Sequence, residues 1–393
     1  MKLYSSLSAL LLIASFVLAP SLTLAAHKEK GFSQVVSAED VKEAYKDGKL
    51  RVLIMPGHEP LKGGAVFQGV YEREIVVDIA QELAKELQSD PNIEVIIARD
   101  DLNWHADIER YFDKNMRKIE RFVSSHKKDM EKKVKRKEVT QRDHDGQVPH
   151  AKAPDDVALR LYGINKWANE NDIDLILNLH INDAPDHGPN DPGANSGYAI
   201  YIPDAQFGNG KASRPIAEAI AERLNDMAAT STLRIENQGV VEDQTLIAVG
   251  SNNTLEVPTA LIEYGYITES KFLVPELRGV LAKDFAHQTH IGLKDFLGVP
   301  VTAAYPTKTL PRTWSVSPTM GSTTPETYAL QTALRILGFY PPSESTLVEC
   351  PISGTMNECT EVAIKAYQRS LGYTETGGLG PKTRAALNAR FGY

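Results

Sequence analysis

The sequence predicts an α/β domain, a mixed and mostly parallel sheet with helices on both faces, followed by a small all-α unit. Three observations predict it. Short apolar, β-branched runs alternate with segments of helical periodicity up to about residue 297. A stretch rich in Pro, Thr and Ser, 298–325, then breaks the pattern as a linker would. Beyond it, 326–393 carries helical patterning alone.

The N-terminus reads as an export signal covering 1–26. Lys2 supplies the positive charge, Leu7 to Ala19 the apolar core, and Ala25-Ala26 the small residues for cleavage. The core is too short for a membrane span, and no later segment qualifies as one. No cysteine lies near the cleavage point, which argues against a lipid anchor. The expected location is outside the cytoplasm, in a periplasm or cell wall. A formal charge of −8 argues against general nucleic-acid binding. The two cysteines, Cys350 and Cys359, are close in sequence. In an exported protein they are expected to form one local disulfide.

The catalytic unit is expected over 27–297. Ser37-Ala38-Glu39-Asp40 has the form of a capping box and opens a short amphipathic helix to Lys46. Residues 51–55 form an apolar run ended by Pro56-Gly57, hence a buried strand. A helix is expected over about 72–87, a strand over 93–98, a helix over 155–169 and a strand over 173–179. Residues 197–202 read as a strand near a sheet edge. A helix follows over 215–227, with Pro215 in its first turn. Strands are expected over 245–249 and 259–266, and a closing helix over 277–296. Between about 105 and 145 a charged segment interrupts this order. Its Ile108, Phe112, Met116, Ile119 and Val123 fall on helical spacing, and Lys132 to Lys137 is strongly basic.

Four residues at the edges of apolar runs carry the chemistry: His58, Glu72, His180 and Glu263. In open α/β sheets, sites form where loops leave the carboxyl ends of strands. His58 follows the first strand, His180 is expected just past the third, and Glu263 lies in or at the end of a late one. Two imidazoles and a carboxylate are the ligand set of a catalytic zinc that keeps one position open. Helix phase separates Glu72 from Glu74. Glu72 shares a face with Ile75, Val76, Ile79 and Leu83, whereas Glu74 shares one with Asp78, Gln81 and Lys85. An inward carboxylate needs compensation, by a metal or by backbone amides at the helix start. Glu263 after Ala260-Leu261-Ile262 is a charge in a buried strand, suited to a general base. The His-Glu-x-x-His pattern of zinc peptidases fails at Lys62, and a His-x-x-Glu pair fails at Leu61. His105, His126, His144, His150 and His187 stand in polar or charged contexts and are given no metal.

With these residues in view, 51–297 resembles the zinc-dependent N-acetylmuramoyl-L-alanine amidases of the type 3 family. Met55-Pro56-Gly57-His58 is similar to the family's Asp-Pro-Gly-His turn, and Tyr71-Glu72-Arg73-Glu74 to the start of its first helix. Asn178-Leu179-His180-Ile181-Asn182 is similar to its Ser-Ile-His-Ala-Asn. Pro258 to Tyr266 is similar to its Pro-x-x-Leu-x-Glu-x-Gly-Phe. The resemblance implies zinc held by His58, Glu72 and His180, Glu263 as catalytic base, and peptidoglycan as substrate. The bond implied is the amide between muramic acid and L-alanine. Glu59-Pro60 departs from the Gly that usually follows the first histidine and is expected to reshape the rim of the site. Some family members carry an inserted helix that blocks the zinc until a partner withdraws it. Residues 105–145 read equally as such a lid, with an activator protein as partner, or as a solvated basic arm.

The C-terminal unit resembles the three-helix peptidoglycan-binding domain, through Leu330-Gln331, Leu334, Leu337-Gly338-Phe339 and Gly354, then Ala363, Tyr367-Gln368, Leu371, Gly380, Thr383 and Leu387. Two rival readings remain at this level: a zinc peptidase cutting within the stem peptide, and a non-catalytic wall-binding protein.

Overall fold

The strand at 51–55 is apolar at every position but Arg51, as a strand covered on both faces must be. In the computed structural model, which describes residues 35–142, 152–183, 187–299 and 313–392, it becomes β1, Leu50–Pro56, an inner strand of a six-stranded sheet, next to one edge strand. The other strands of that sheet are β4 (Ile93–Ile97), β5 (Leu175–Asn182), β6 (Ala199–Pro203), β7 (Val240–Asp243) and β8 (Thr259–Tyr266). Their order is β4-β1-β5-β8-β6-β7. All neighbours are parallel except β6 and β8, so the sheet is mixed and mostly parallel. A two-stranded hairpin, β2 (Val66–Phe67) with β3 (Val70–Tyr71), stands apart. The expected signal at 1–26 lies outside the described residues.

Alternation along β6 and β8 separates the two faces. Ile200, Ile202, Ala260 and Ile262 join the main core, while Ala199, Tyr201 and Leu261 pack with Val241 and Val249 in a second cluster. On the face that carries Ala260 and Ile262, α2 (Glu72–Gln88) packs against α7 (Pro275–Phe296), and α7 against α5 (Gly210–Leu224). On the other side, α4 (Asp155–Glu170) brings Leu161, Ile164 and Asn165 to Met55, Ile176 and Asn178. The first helix, α1 (Ala38–Lys46), has its capping box: Ser37 Oγ accepts from Asp40 N–H, and Asp40 accepts from Ser37 N–H.

Three expected elements shift. The strand expected at 245–249 is a turn with a short 3-10 helix at Ile247–Val249, and the strand is β7 instead. The cause is Asp243, whose Oδ1 accepts from Thr245 N–H, Thr245 Oγ1–H and Leu246 N–H and so bends the chain there. The helix expected from 215 starts earlier, at Gly210, and Pro215 lies inside it. The third strand runs past its expected end to Asn182, so His180 is within it.

The charged insertion forms α3, Ala106–Lys135. It ends well before 145, because Arg136 caps it and Lys137 takes a left-handed φ of 60°. Its apolar stripe is spent on α4: Phe112 and Ile119 meet at Gly163, where a Cβ would come within 2.9 Å of both side chains. After α3 the chain reaches the ends of β6 and β7, where Arg142 Nε pairs with Asp204 at 2.7 Å and Thr140 N–H donates to Gln206.

The last unit has three helices, α8 (Pro325–Ile336), α9 (Glu358–Ser370) and α10 (Pro381–Phe391). Two buried glutamines tie it together. Gln331 Nε2 donates to Thr355 O and Thr360 Oγ1, and its Oε1 accepts from Gly354 N–H. Gln368 bonds Gly377, Gly378 and Thr383 in the same manner. A disulfide joins Cys350 to Cys359. Trp314, in the segment read as linker, is buried against Phe391 and bonded to Asn388. The unit also meets the sheet domain: Tyr328 O–H donates to buried Asp284 at 2.5 Å, and Arg335 donates to Asp226 O at 2.8 Å. No helix among the described residues is long and apolar enough to cross a membrane.

Candidate metal centre and active site

The hairpin β2–β3 delivers Glu72. Its strands lead directly into α2, and Ala65 N–H donates to Glu72 Oε2 at 2.7 Å while Glu72 N–H donates back to Ala65 O. Glu72 is buried and Glu74 exposed, as helix phase requires. Glu72 Oε1 also accepts from Ile181 N–H at 3.1 Å, which ties the helix start to β5.

His58 ends the turn that leaves β1. Its backbone is left-handed, φ 68°, a conformation that costs a non-glycine residue energy and persists only where surroundings enforce it. The enforcement comes from Arg99, which is almost fully buried. Arg99 Nε donates to Pro56 O and His58 O, and its terminal nitrogens donate to Gly57 O, Arg73 O and Asp100 O. Burial pushes its guanidinium down to about 10, which still leaves it charged at neutral pH. Gly57 is required by proximity, since a Cβ there would lie 2.4 Å from the His180 ring. Gly64, at φ +86°, faces His58 and Glu72 from the other side.

These constraints bring His58, Glu72 and His180 together. His58 Nε2 lies 2.7 Å from Glu72 Oε2, and His180 Nδ1 lies 3.0 Å from Glu72 Oε1. The imidazole centroids are 4.9 Å apart. Despite its short approach, His58 Nε2 makes no well-directed hydrogen bond. Burial acts to raise the Glu72 carboxyl, but the two imidazoles outweigh it and hold it well below the usual range. Burial likewise lowers His180. A carboxylate and a neutral imidazole are the states a metal ligand needs. Ligand atoms of all three lie within 4.8 Å of one another, so one ion could take one atom from each.

Glu263 stands beside this set. It pairs in register with His180 on the neighbouring parallel strand, so both side chains leave the same face. Its Oε2 is shielded from water and has no hydrogen-bond partner. Burial, then the nearby carboxylates Glu72 and Glu236, raise its pKa well above the ordinary value.

Glu236 has no local signal in the sequence. It is fully buried and accepts from Asn182 Nδ2 at 2.9 Å, from Tyr201 O–H, and from Tyr266 O–H at 2.5 Å. Arg99 was also missed, although an arginine directly after the apolar run Ile96-Ile97-Ala98 is a legible oddity. Glu59 turns away from the histidines: it is buried against α4, where it pairs with Arg160, and Lys62 lies 3.3 Å from it. Among the other histidines, His105 caps α3, and His187 pairs with Asp183 and meets the ring of Phe67. His144 and His150 lie outside the described residues.

The model of one protein family, N-acetylmuramoyl-L-alanine amidase, matches residues 52–272. The chain belongs to this family. All four active-site candidates of the amidase fall inside the matched span. A second model, for a peptidoglycan binding domain, matches residues 323–387 and so covers α8 to α10. The amidase is also similar to solved amidase structures. One is the CwlD amidase of Clostridioides difficile in complex with the GerS lipoprotein, at 14% identity and a TM-score of 0.41, covering 64% of this chain and 99% of that one. Another is the apo amidase Ami1 of Mycobacterium abscessus, at 13% identity and 0.41, covering 63% and 98%. A third is the catalytic domain of CwlV from Bacillus (Paenibacillus) polymyxa, at 15% and 0.39, covering 64% and 99%. Comparison with curated proteins gives no match.

Proposed function

We propose that this peptidoglycan amidase is an exported zinc hydrolase that cuts the amide between N-acetylmuramic acid and L-alanine. The observation that carries the reading is the convergence of His58, Glu72 and His180 with Glu263 in register beside His180. The donor set fits zinc. It offers two imidazoles and one carboxylate, and His58 Nε2 and Glu263 Oε2 are shielded atoms with no hydrogen-bond partner. Zinc, when bound, supplies Lewis-acid polarisation of the scissile carbonyl and a lowered pKa for water.

The chain's residues divide the remaining work. His58, Glu72 and His180 hold the ion, with Arg99 fixing the turn that aims His58 and Ile181 N–H fixing the carboxylate. Glu263 takes the proton of the attacking water at its free carboxylate oxygen and returns it to the leaving L-alanine nitrogen. Its raised pKa brings it closer to the working pH, where a general base is most effective. The C-terminal unit holds the enzyme on the polymer and raises the local substrate concentration. The apolar side chains that α3 buries, Phe112 and Ile119 against α4 among them, set a cost on any activator that lifts that helix. Full exposure costs about 1.5–3 kcal/mol for each large apolar side chain.

Purified sacculi should yield glycan chains free of peptide together with intact stem peptides, by mass analysis. Shortened stem peptides would establish the peptidase reading instead, and no release at all with bound zinc would leave the wall-binding reading. Chelation should abolish turnover and stoichiometric zinc restore it. Gly57→Ala should displace the His180 ring and weaken zinc binding by roughly ten- to a hundredfold, the usual cost of disturbing a ligand's support. Competition against a chromophoric chelator measures this, and unchanged affinity would refute the close-approach argument.

A further inference from the structure

Among the described residues a second group has the geometry of a metal site, away from the first. Glu86 lies near the end of α2, and His287 and His290 lie three apart on α7, hence on one face of it. Their ligand atoms, too, lie within 4.8 Å of one another. His290 Nδ1 is 3.2 Å from Glu86 Oε2, and His287 Nδ1 is 3.8 Å from the same oxygen. A tetrahedral zinc with bonds near 2.1 Å separates its ligand atoms by about 3.4 Å. The two observed distances bracket that value.

Well-directed hydrogen bonds do not account for the cluster, although His287 and His290 lie close enough to hold the Glu86 carboxyl well below its usual range. His287 is only 8% exposed, and neither of its ring nitrogens has a hydrogen-bond partner; His290 Nδ1 has none either. Both imidazoles aim at one carboxylate oxygen without bonding geometry. A buried polar group left in this state destabilises the fold. An ion between the three would give a partner to Nδ1 of both imidazoles and to the carboxylate. Asp284, one turn before His287, accepts from Tyr328 O–H and is not among the residues whose ligand atoms converge. Glu86 is partly exposed, with 37% side-chain accessibility, which leaves a path for an ion and a place for water.

We propose that Glu86, His287 and His290 form a second, structural site for a divalent transition-metal ion of the zinc class, clamping α2 to α7. It is separate from the active site. Glu86 is fourteen residues beyond Glu72 on the same helix, about 21 Å at 1.5 Å per residue. Helix α2 therefore carries a ligand near each end, and the clamp braces the helix that presents Glu72.

The test uses the full chain, stripped of metal and titrated with zinc. Bound zinc is counted by elemental analysis after gel filtration, and thermal unfolding is followed in parallel. The double variant His287→Gln/His290→Gln should bind one equivalent fewer than wild type and lose part of the zinc-induced rise in Tm. At saturating zinc it should keep wild-type turnover. Glu86→Gln, on a partly exposed side chain, repeats the count should the double variant fail to fold. The reverse background, His58→Gln/His180→Gln, should still retain one equivalent; this separates the second site from failure of the first. Equal zinc counts in wild type and in Glu86→Gln, or a zinc-independent Tm in the His58→Gln/His180→Gln background, would overturn the proposal and leave an ionic cluster only.

Discussion

Replacing Glu263 by Gln should lower turnover of muropeptides by about 10²–10⁴-fold, the usual contribution of a positioned general base. Zinc content should not change, because the three proposed ligands are elsewhere. Stability should move the other way. Glu263 has its folded pKa raised, by burial first and by Glu72 and Glu236 next. Stability from such a group is fully present below its unfolded pKa and is lost as pH rises through the folded one. Above its unfolded pKa this carboxyl therefore costs the metal-free fold stability, and a neutral amide of the same shape does not. Metal-free Glu263→Gln should thus unfold at higher temperature than metal-free wild type at pH 7, with the gap closing toward acid pH. Retained turnover would remove Glu263 from the mechanism, and loss of zinc with turnover would make it a ligand or a structural group.

Replacing Arg99 by Ala should cost about 3 kcal/mol and lower Tm by roughly 6–12 °C, taking 2–4 °C per kcal/mol for a large domain. The reason is a count of acceptors. Arg99 serves the carbonyls of Pro56, Gly57 and His58, and each buried one left without a donor costs about 1–3 kcal/mol, less where water enters the space. The left-handed turn at His58 then loses its enforcement, so zinc affinity should fall as well. Arg99→Lys should recover part of the stability but less of the affinity, because an ammonium cannot hold several carbonyls in a planar fork. Calorimetry and the chelator competition test both arms. A Tm within a degree of wild type would show that the turn holds His58 without help.

Much of the site was legible because its residues break local rules. A glutamate after Ala260-Leu261-Ile262 and a histidine after Leu175 to Leu179 stand out in apolar strands. The 3.6-residue period alone placed Glu72 inward and Glu74 outward. The helix of the insertion was legible from its apolar stripe, but its seat on α4 was not. Periodicity tells which face is buried, not what buries it, and only Gly163 opposite Phe112 and Ile119 shows why the two helices approach so closely. The misplaced strand at 245–249 failed for a related reason: an apolar run there met an Asp243 side chain that competes for the backbone.

What the sequence by itself determined is local: the alternation of strands and helices, the four candidate site residues, the family motifs around them, and the three-helix unit at the end. Tertiary structure alone decided the rest. It set the parallel register that puts Glu263 beside His180, the five carbonyls gathered by Arg99, the burial of Glu236, and the meeting of Glu86 with His287 and His290. Each depends on side chains from different elements, separated by up to about two hundred residues. No local period or propensity encodes such meetings, because they arise only when the sheet and its helices close over one another.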